Sequence, residues 1–222
     1  MRIDERTAVT EQLVPGSSKL FFFFGGIAGA IGIPPFEFYR AAGILDHSKV
    51  FMRDLEQAWY QRGLSGVGDD ALSVGEYLQR KIRETGASDI CFIGNSMGGF
   101  AALLFCAMLR TGHAIAFAPQ TFVSAEKRSL HRDQRWAPQI SRLQSSKRES
   151  DILDLEPWIA RMHPEMKARV LVSQTDRLDE LHADELAQFP HIDIQRHPHG
   201  GHALVKTLRD EGLLEELLRS AG

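Results

Sequence analysis

The sequence predicts a single-domain α/β fold in which helices cover both faces of a mostly parallel central sheet. Short apolar runs of strand length alternate with longer amphipathic runs along the chain, which is the pattern of successive β-α-β units. The most apolar of the short runs are nearly continuous, as expected of strands that are buried on both faces. The length of 222 residues suffices for one α/β domain with a full core and is short for two.

Six segments are predicted to be strands and five to be helices. The strand candidates are Lys19–Phe24, Lys49–Arg53, Asp89–Gly94, Ala114–Phe117, Arg169–Ser173 and Ile192–Arg196. The helix candidates, which are amphipathic or apolar runs of greater length, are about Phe36–Ala42, Asp69–Thr85, Gly98–Thr111, Asp179–Phe189 and Ala203–Arg219. The first 18 residues are a candidate for an additional antiparallel strand at the edge of the sheet.

Composition and charge indicate a globular protein rather than a binder of nucleic acid or of anionic membranes. The chain is 43% hydrophobic and 25% charged, and its formal net charge is −3. Cys91 and Cys106 fall on a predicted strand and a predicted helix, so we expect buried free thiols, which suits a cytoplasmic location. The apolar run Leu20–Ile33 contains four glycines and is shorter than the roughly 20 residues of a membrane span.

The segment 124–167 differs in character from the rest of the predicted domain, which spans residues 1–222. It is rich in charged residues and has few apolar anchors, namely Trp136, Leu143, Ile152, Leu155, Trp158 and Ile159. A long connection in a compact domain is usually functional or disordered. The segment is therefore either a small helical cap over an active site or a surface insertion.

The most informative motif is Gly94-Asn95-Ser96-Met97-Gly98, which joins a predicted strand to a predicted helix. A serine between glycines at such a turn is typical of a nucleophile that is lifted out of a sheet, because side chains at the flanking positions would collide. The backbone N–H of Met97 would point at an oxyanion that forms when Ser96 attacks a carbonyl. The motif predicts a serine hydrolase.

A serine nucleophile needs a base, and the base needs an acid that orients it. Asp176 follows the predicted strand Arg169–Ser173, and His202 follows the predicted strand Ile192–Arg196. Because functional groups of parallel sheets lie at the carboxyl ends of the strands, Ser96, Asp176 and His202 are expected to meet there.

These residues, together with the glycine-rich loop after the first predicted strand, resemble the α/β-hydrolase superfamily, in a compact form. The order nucleophile, acid, histidine is that of the superfamily. The resemblance implies that Ser96 is the nucleophile, His202 the general base and acid, and Asp176 the residue that orients His202. It also implies an oxyanion hole made by the backbone N–H groups of Met97 and Ile27, with Gly26 as the neighbouring candidate. Where many relatives have His-Gly in that loop, this chain has Gly25-Gly26-Ile27-Ala28-Gly29.

The identity of the acid has alternatives in Asp179, which lies three residues after Asp176, and in Asp184, which lies further along. We prefer Asp176, because it stands in the tight loop directly after the predicted strand. Asp179 is better placed to cap the helix that follows.

The histidine cluster His197, His199 and His202 also matches part of an H-x-H-x-D-H metal motif, with Gly201 in place of the aspartate. Such a motif needs further ligands downstream, and little sequence remains to supply them, so a metal site is not favoured. The other histidines, among them His182, are predicted to be surface or packing residues.

The predicted activity is hydrolysis of a carboxylic ester of small-molecule type through an acyl-enzyme, with no metal or organic cofactor required. Acyl thioesterase and O-deacetylase activities are alternatives that use the same residues. A non-catalytic binding protein that keeps the fold is a further alternative, because a fold does not fix a function.

Overall fold

A computed structural model describes residues 6–27, 36–163 and 165–221 of the chain, which contain a seven-stranded sheet of order β1-β3-β2-β4-β5-β6-β7. The strands are β1 Val9–Gln12, β2 Lys19–Phe24, β3 Ser48–Met52, β4 Asp89–Asn95, β5 His113–Phe117, β6 Ala168–Ser173 and β7 Ile192–His197. Strands β2 to β7 are parallel to one another, and β1 pairs with β3 in the antiparallel sense at the edge. The predicted parallel sheet and its antiparallel edge strand are both confirmed.

Eight α-helices are present in the described residues. They are α1 Ala71–Thr85, α2 Met97–Leu109, α3 Ala125–His131, α4 Ala137–Ser145, α5 Glu156–Ile159, α6 Arg177–Asp184, α7 Leu204–Asp210 and α8 Leu213–Ser220. Short 3-10 helices occur at Ala41–Ile44 and Gly201–Ala203.

Two separate apolar cores show that the sheet is covered on both faces. Along β2, Leu20, Phe22 and Phe24 belong to one core, whereas Phe21 and Phe23 belong to the other. This division follows from the alternation of side chains along a strand. It confirms the prediction of helices on both faces.

Two predicted helices agree with α1 and α2 to within two residues at each end, and the other three differ more in their extent. The predicted helix Ala203–Arg219 is two helices, because Gly212 adopts a left-handed conformation with φ of 77° and ends the first of them. The predicted helix at Phe36–Ala42 consists of turns that lead into the 3-10 helix. Helix α6 begins at Arg177, two residues before the predicted start, and this shift decides the role of two acidic side chains.

The segment 124–167 contains α3, α4 and α5 and is tied to the rest of the protein by side-chain contacts. Arg62 makes a two-pronged ion pair with Asp151, with distances of 2.6 and 2.9 Å. The side-chain oxygen of Gln61 accepts a hydrogen bond of 2.7 Å from the backbone of Ile152. That this segment acts as a cap stays a prediction.

Cys91 and Cys106 are buried free thiols, as predicted. Within the described ranges, no helix combines the length and the apolarity that crossing a bilayer requires. The apolar run Leu20–Ile33 begins with β2, and its residues 28–33 lie outside the described residues.

Candidate active site

The candidate site lies at the carboxyl-terminal edge of the parallel strands. Ser96 follows β4, Asp179 lies in the first turn of α6 after β6, and His202 follows β7. Since β4 to β7 are neighbours in a parallel sheet, their carboxyl ends open on the same edge.

Ser96 occupies a strained turn between β4 and α2. Its φ of 54° and ψ of −117° lie outside the regions that ordinary residues prefer. A Cβ atom at Gly94 would collide with the carbonyl oxygen of Gly98, so a side chain at this position is excluded. The turn is fixed from β5, because the N–H of Ser96 donates to the carbonyl oxygen of Phe117 at 2.8 Å.

His202 forms hydrogen bonds with the side chains of Ser96 and Asp179. Its Nε2 atom lies 2.9 Å from Oγ of Ser96, and its Nδ1 atom lies 2.9 and 3.0 Å from the two carboxylate oxygens of Asp179. An Nδ1–H that donates to Asp179 leaves Nε2 free to accept the proton of Ser96. The left-handed glycines Gly200 and Gly201, with φ of 116° and 55°, give the backbone the turn that presents His202.

In the structure His202 contacts Asp179, an alternative acid, whereas Asp176, the preferred one, binds the backbone of α6. Oδ1 of Asp176 accepts hydrogen bonds of 3.0 Å from the N–H groups of Leu178 and Asp179, so Asp176 is the N-cap of α6. The reason is the earlier start of the helix: with Arg177 as the first helical residue, the capping position falls on Asp176. Asp179 then lies in the first turn with its side chain fully buried.

Asp179 has a second partner in Arg135, which comes from the charged segment 124–167. Nη1 of Arg135 lies 2.6 Å from Oδ1 of Asp179. Burial disfavours the Arg135 cation, but its hydrogen bonds with Asp133 and Asp179 outweigh that effect and raise the pKa of the guanidinium. Arg135 therefore stays charged beside the Asp179 carboxylate.

A buried pair, Asp133 and His182, lies behind Arg135. Nε2 of His182 lies 3.1 Å from Oδ2 of Asp133, and Nδ1 of His182 accepts the N–H of Thr121 at 3.0 Å. Burial opposes ionisation of Asp133, yet hydrogen bonds from His182 and Arg135 lower its pKa well below the usual range. His182 is fully buried and is thus a packing residue, as predicted, but it also takes part in this network.

The glycine-rich loop after β2 is held by Glu37. The N–H of Gly26 donates to Oε2 of Glu37 at 2.8 Å, and the side-chain amide of Asn95 donates to Oε1 at 2.7 Å. The N–H of Gly26 is therefore already engaged and is not free to stabilise an oxyanion. Ile27, which is next in the chain, and Met97 remain the proposed donors.

Trp136 brings an apolar surface from the segment 124–167 to the site. The centroid of its indole ring lies 5.9 Å from that of the His202 imidazole. The indole Nε1 is buried and has no hydrogen-bond partner among the described residues. Trp136 thus borders the imidazole from the side of the predicted cap.

The histidine cluster that resembles a metal motif is dispersed in the structure. His199 pairs with Glu211 at 2.6 Å, whereas His202 faces Ser96. Across the described part of the chain, the group with metal-ligand spacing is Asp176, Asp179 and His202, and its atoms lie within 4.8 Å of one another. His197 and His199 do not belong to that group.

Sequence reasoning missed the parts played by Glu37 and Arg135. Glu37 lies 58 residues from Asn95, Arg135 lies 44 residues from Asp179, and neither stands in a recognisable motif. The segment 124–167 is rich in charge, but the sequence pattern does not distinguish Arg135 from the other arginines there. The contacts depend on how that segment packs, which no local signal reveals.

Neither a protein-family model nor a curated protein matches this sequence. Solved structures do match over nearly the whole chain. A capsule O-acetyltransferase of Neisseria meningitidis serogroup A is 14% identical, with 95% of this chain and 90% of that chain covered and a TM-score of 0.67. A lipase-esterase related protein from Clostridium acetobutylicum is 13% identical, with coverage of 94% and 97% and a TM-score of 0.59.

An α/β-hydrolase enzyme from the metagenome of lagoon sediments at Mar Chica, Morocco, is also similar. It is 15% identical, with 96% of this chain and 94% of that chain covered and a TM-score of 0.59. The chain therefore has the α/β-hydrolase fold, as its motifs suggested. Its structural neighbours include an esterase, an α/β-hydrolase enzyme and an O-acetyltransferase.

Proposed function

We propose that this protein is a serine hydrolase that cleaves a carboxylic ester through Ser96, His202 and Asp179. The observation that carries the proposal is the continuous hydrogen-bonded chain from Oγ of Ser96 through the imidazole to the Asp179 carboxylate. The strained backbone of Ser96 adds support, because strain of this kind is found at functional sites. The lipase-esterase related protein and the esterase of Pyrococcus furiosus among its structural neighbours agree with this chemistry.

In the proposed first step, Nε2 of His202 takes the hydroxyl proton of Ser96 while Oγ forms a bond to the ester carbonyl carbon. The electron pair of the carbonyl moves to its oxygen, and the N–H groups of Met97 and Ile27 stabilise the resulting oxyanion. Such donors typically contribute about 3 kcal/mol each in the transition state. When the tetrahedral intermediate collapses, the C–O bond to the alcohol breaks, and the alcohol takes the proton from His202.

Water completes the cycle by the same route. His202 takes a proton from the water, the hydroxide oxygen attacks the acyl carbon, and the bond to Oγ of Ser96 breaks. The proton returns from His202 to Ser96 and the carboxylic acid leaves. Asp179 stabilises the imidazolium in both halves and keeps the productive tautomer.

A second candidate is acyl transfer from a thioester, in which a hydroxyl compound replaces water as the acceptor. It is favoured by the structural likeness to the capsule O-acetyltransferase, of which a histidine mutant has been solved in complex with CoA. Thioester hydrolysis would share the same acyl-enzyme. These activities differ only in what donates and what accepts the acyl group.

Labelling with a fluorescent fluorophosphonate tests the nucleophile. We expect wild type to be labelled, S96A to be unlabelled and H202A to be labelled much more slowly. S145A and H163A, which alter an exposed serine and an exposed histidine, are matched controls and should be labelled like wild type. A folded wild type that is not labelled, or an S96A variant that is, would contradict the proposal.

Product analysis then separates the two candidates. The protein is incubated with p-nitrophenyl acetate, and separately with acetyl-CoA, each with and without a simple sugar as acceptor. Free acetate from the ester in both conditions supports the hydrolase. Acetylated sugar and little free acetate would favour the transferase.

A further inference from the structure

Arg135 and His202 bind the same atom of the proposed catalytic acid. Oδ1 of Asp179 lies 2.6 Å from Nη1 of Arg135 and 2.9 Å from Nδ1 of His202. The Asp179 side chain is fully buried, and that of Arg135 is 18% exposed, so water screens this pair of contacts only weakly. The Asp179 carboxylate thus contacts the imidazole of His202 and the permanently charged guanidinium of Arg135 at the same time.

Asp133 prevents Arg135 from turning away. Its carboxylate accepts hydrogen bonds from Nη2 and Nε of Arg135 at 3.0 to 3.3 Å. Because Nδ1 of His182 accepts the N–H of Thr121, the His182 proton lies on Nε2 and is donated to Asp133. The guanidinium is therefore held between two carboxylates by a forked set of hydrogen bonds.

We propose that Arg135 is a positioning residue for the proposed catalytic acid: it fixes the Asp179 carboxylate, and its charge offsets part of the attraction of that carboxylate for a proton on His202. This inference rests on the proposed function and deepens it. A carboxylate that faces an imidazole alone stabilises the protonated ring. A guanidinium on the same oxygen offsets part of that effect and so favours the neutral imidazole, which can accept the proton of Ser96.

Other charges near the pair act in the opposite direction. Asp176 has its Oδ1 atom 3.9 Å from Nη1 of Arg135, and Glu37 interacts electrostatically with His202. Both carboxylates favour the imidazolium when they are ionised. Arg135 is the cation in direct contact with the pair and offsets them.

Asp133, which lies on the far side of Arg135, also favours protonation of the Asp179–His202 pair, although Arg135 stands between Asp133 and that pair. Arg128 lies 3.8 Å from Asp133 and reduces its influence. His182 belongs to the same side, but burial lowers its pKa, so it carries no charge at neutral pH. None of these groups replaces the contact of Arg135 with Asp179.

The test is the pH dependence of kcat/KM for ester hydrolysis in R135Q, R135K and R142Q. Loss of the cation in R135Q should move the acidic limb up by about one pH unit and lower kcat by about tenfold or more. R135K keeps the positive charge but loses the forked hydrogen bonds of the guanidinium. The acidic limb of its pH profile should therefore stay near that of wild type, while kcat falls. R142Q removes an exposed arginine from the same segment and should match wild type.

A titration of the His202 imidazole by NMR, carried out in S96A protein, gives a second measurement that needs no turnover. Relative to S96A, the pH at the midpoint of this titration should be higher in S96A/R135Q and unchanged in S96A/R142Q. If R135Q does not fold, R135Q/D133N removes both buried charges together, and its midpoint should still rise, by a smaller amount. If wild type does not hydrolyse esters, the proposed function fails, but this titration still decides the effect of Arg135.

An unchanged midpoint and an unchanged acidic limb in a folded R135Q or R135Q/D133N variant would overturn the inference. Arg135 would then only stabilise the fold, because loss of stability alone lowers the amount of active protein without moving the limb. A limb that shifts equally in R135K and R135Q would also overturn it, since the charge is retained in R135K.

Discussion

The Nδ1 atom of His202 lies 2.9 Å from one carboxylate oxygen of Asp179 and 3.0 Å from the other. Asp176, three residues earlier, instead binds the first N–H groups of α6. The two aspartates of this turn thus make different contacts: Asp176 caps the N-terminus of α6, and Asp179 faces His202. The first prediction uses this difference.

We expect D179N to lower kcat for ester hydrolysis by about 10²- to 10⁴-fold, because the amide does not stabilise the imidazolium or select its tautomer. D176N is the matched variant, with the same chemical change three residues away. Asparagine caps a helix as well as aspartate does, so D176N should keep kcat within about threefold of wild type. Steady-state kinetics on both variants measure the contrast, and the reverse ranking would assign the acid to Asp176.

The second prediction concerns Glu37 and stability. Burial raises the pKa of Glu37 above its ordinary value of 4.5, and the hydrogen bonds from Gly26 and Asn95 only partly offset this. The folded protein therefore binds the proton more tightly than the unfolded chain, so this contribution to stability is lost as the pH rises above 4.5. Since E37Q cannot ionise, the unfolding free energy of wild type should fall relative to that of E37Q over this range.

Denaturant unfolding from about pH 4 to about pH 8 measures this difference. E149Q, which alters an exposed glutamate, should leave the difference from wild type independent of pH. A wild-type protein that gains stability relative to E37Q as the pH rises would show that the hydrogen bonds outweigh burial.

The third prediction concerns His182 and has the opposite sign. Burial lowers the pKa of His182 below its ordinary value of 6.5, although the hydrogen bond with Asp133 acts against this. The unfolded chain takes up a proton near pH 6.5 that the folded protein does not, so stability is lost as the pH falls through this value. The unfolding free energy of wild type should therefore fall relative to that of H182Q between about pH 7 and about pH 5.

H163Q provides the control for H182Q, because the side chain of His163 is 54% exposed. Its difference from wild type should change little over the same pH range. If H182Q and H163Q behave alike in urea unfolding, the buried network does not affect the proton affinity of His182.

The fourth prediction concerns the attachment of the segment 124–167. R62A removes the two-pronged contact with Asp151, whose side chain is 1% exposed. Hydrogen bonds to a charged group contribute about 1.5–3 kcal/mol, so we expect the unfolding free energy to fall by about 2 kcal/mol. The segment around Asp151 should also become more susceptible to proteolysis.

Limited trypsin digestion of R62A followed by mass spectrometry measures this effect. Cleavage after the exposed Lys147 and Arg148 should become faster in R62A. R142A is the control, since it alters an exposed arginine of the same segment. Equal digestion of wild type and R62A would mean that the Arg62 contact does not anchor the segment.

The six predicted strands agree with the structure to within one residue at each end. The strand signal is local: a short, nearly continuous apolar run can be buried on both faces only inside a covered sheet. The predicted helix boundaries agree less closely with the structure, because the ends of a helix depend on single residues. Gly212, for example, breaks what the pattern predicted as one helix into two.

The proposed catalytic serine and histidine could also be found in the sequence, since each lies in a glycine-containing turn directly after a strand. The acid could not. Asp176 and Asp179 are chemically equal, and the choice between them depended on whether α6 begins at Arg177 or two residues later. A sequence pattern does not define a helix start to that accuracy.

By itself, the sequence determined the parallel sheet, its covered faces and the positions of Ser96 and His202, because hydrophobic periodicity and glycine turns act over a few neighbouring residues. Only the tertiary structure decided that Asp179 faces His202 and that Arg135 binds it across 44 residues of chain. Such contacts depend on how distant segments pack together, and a cation and a carboxylate carry no sequence mark that identifies them as partners.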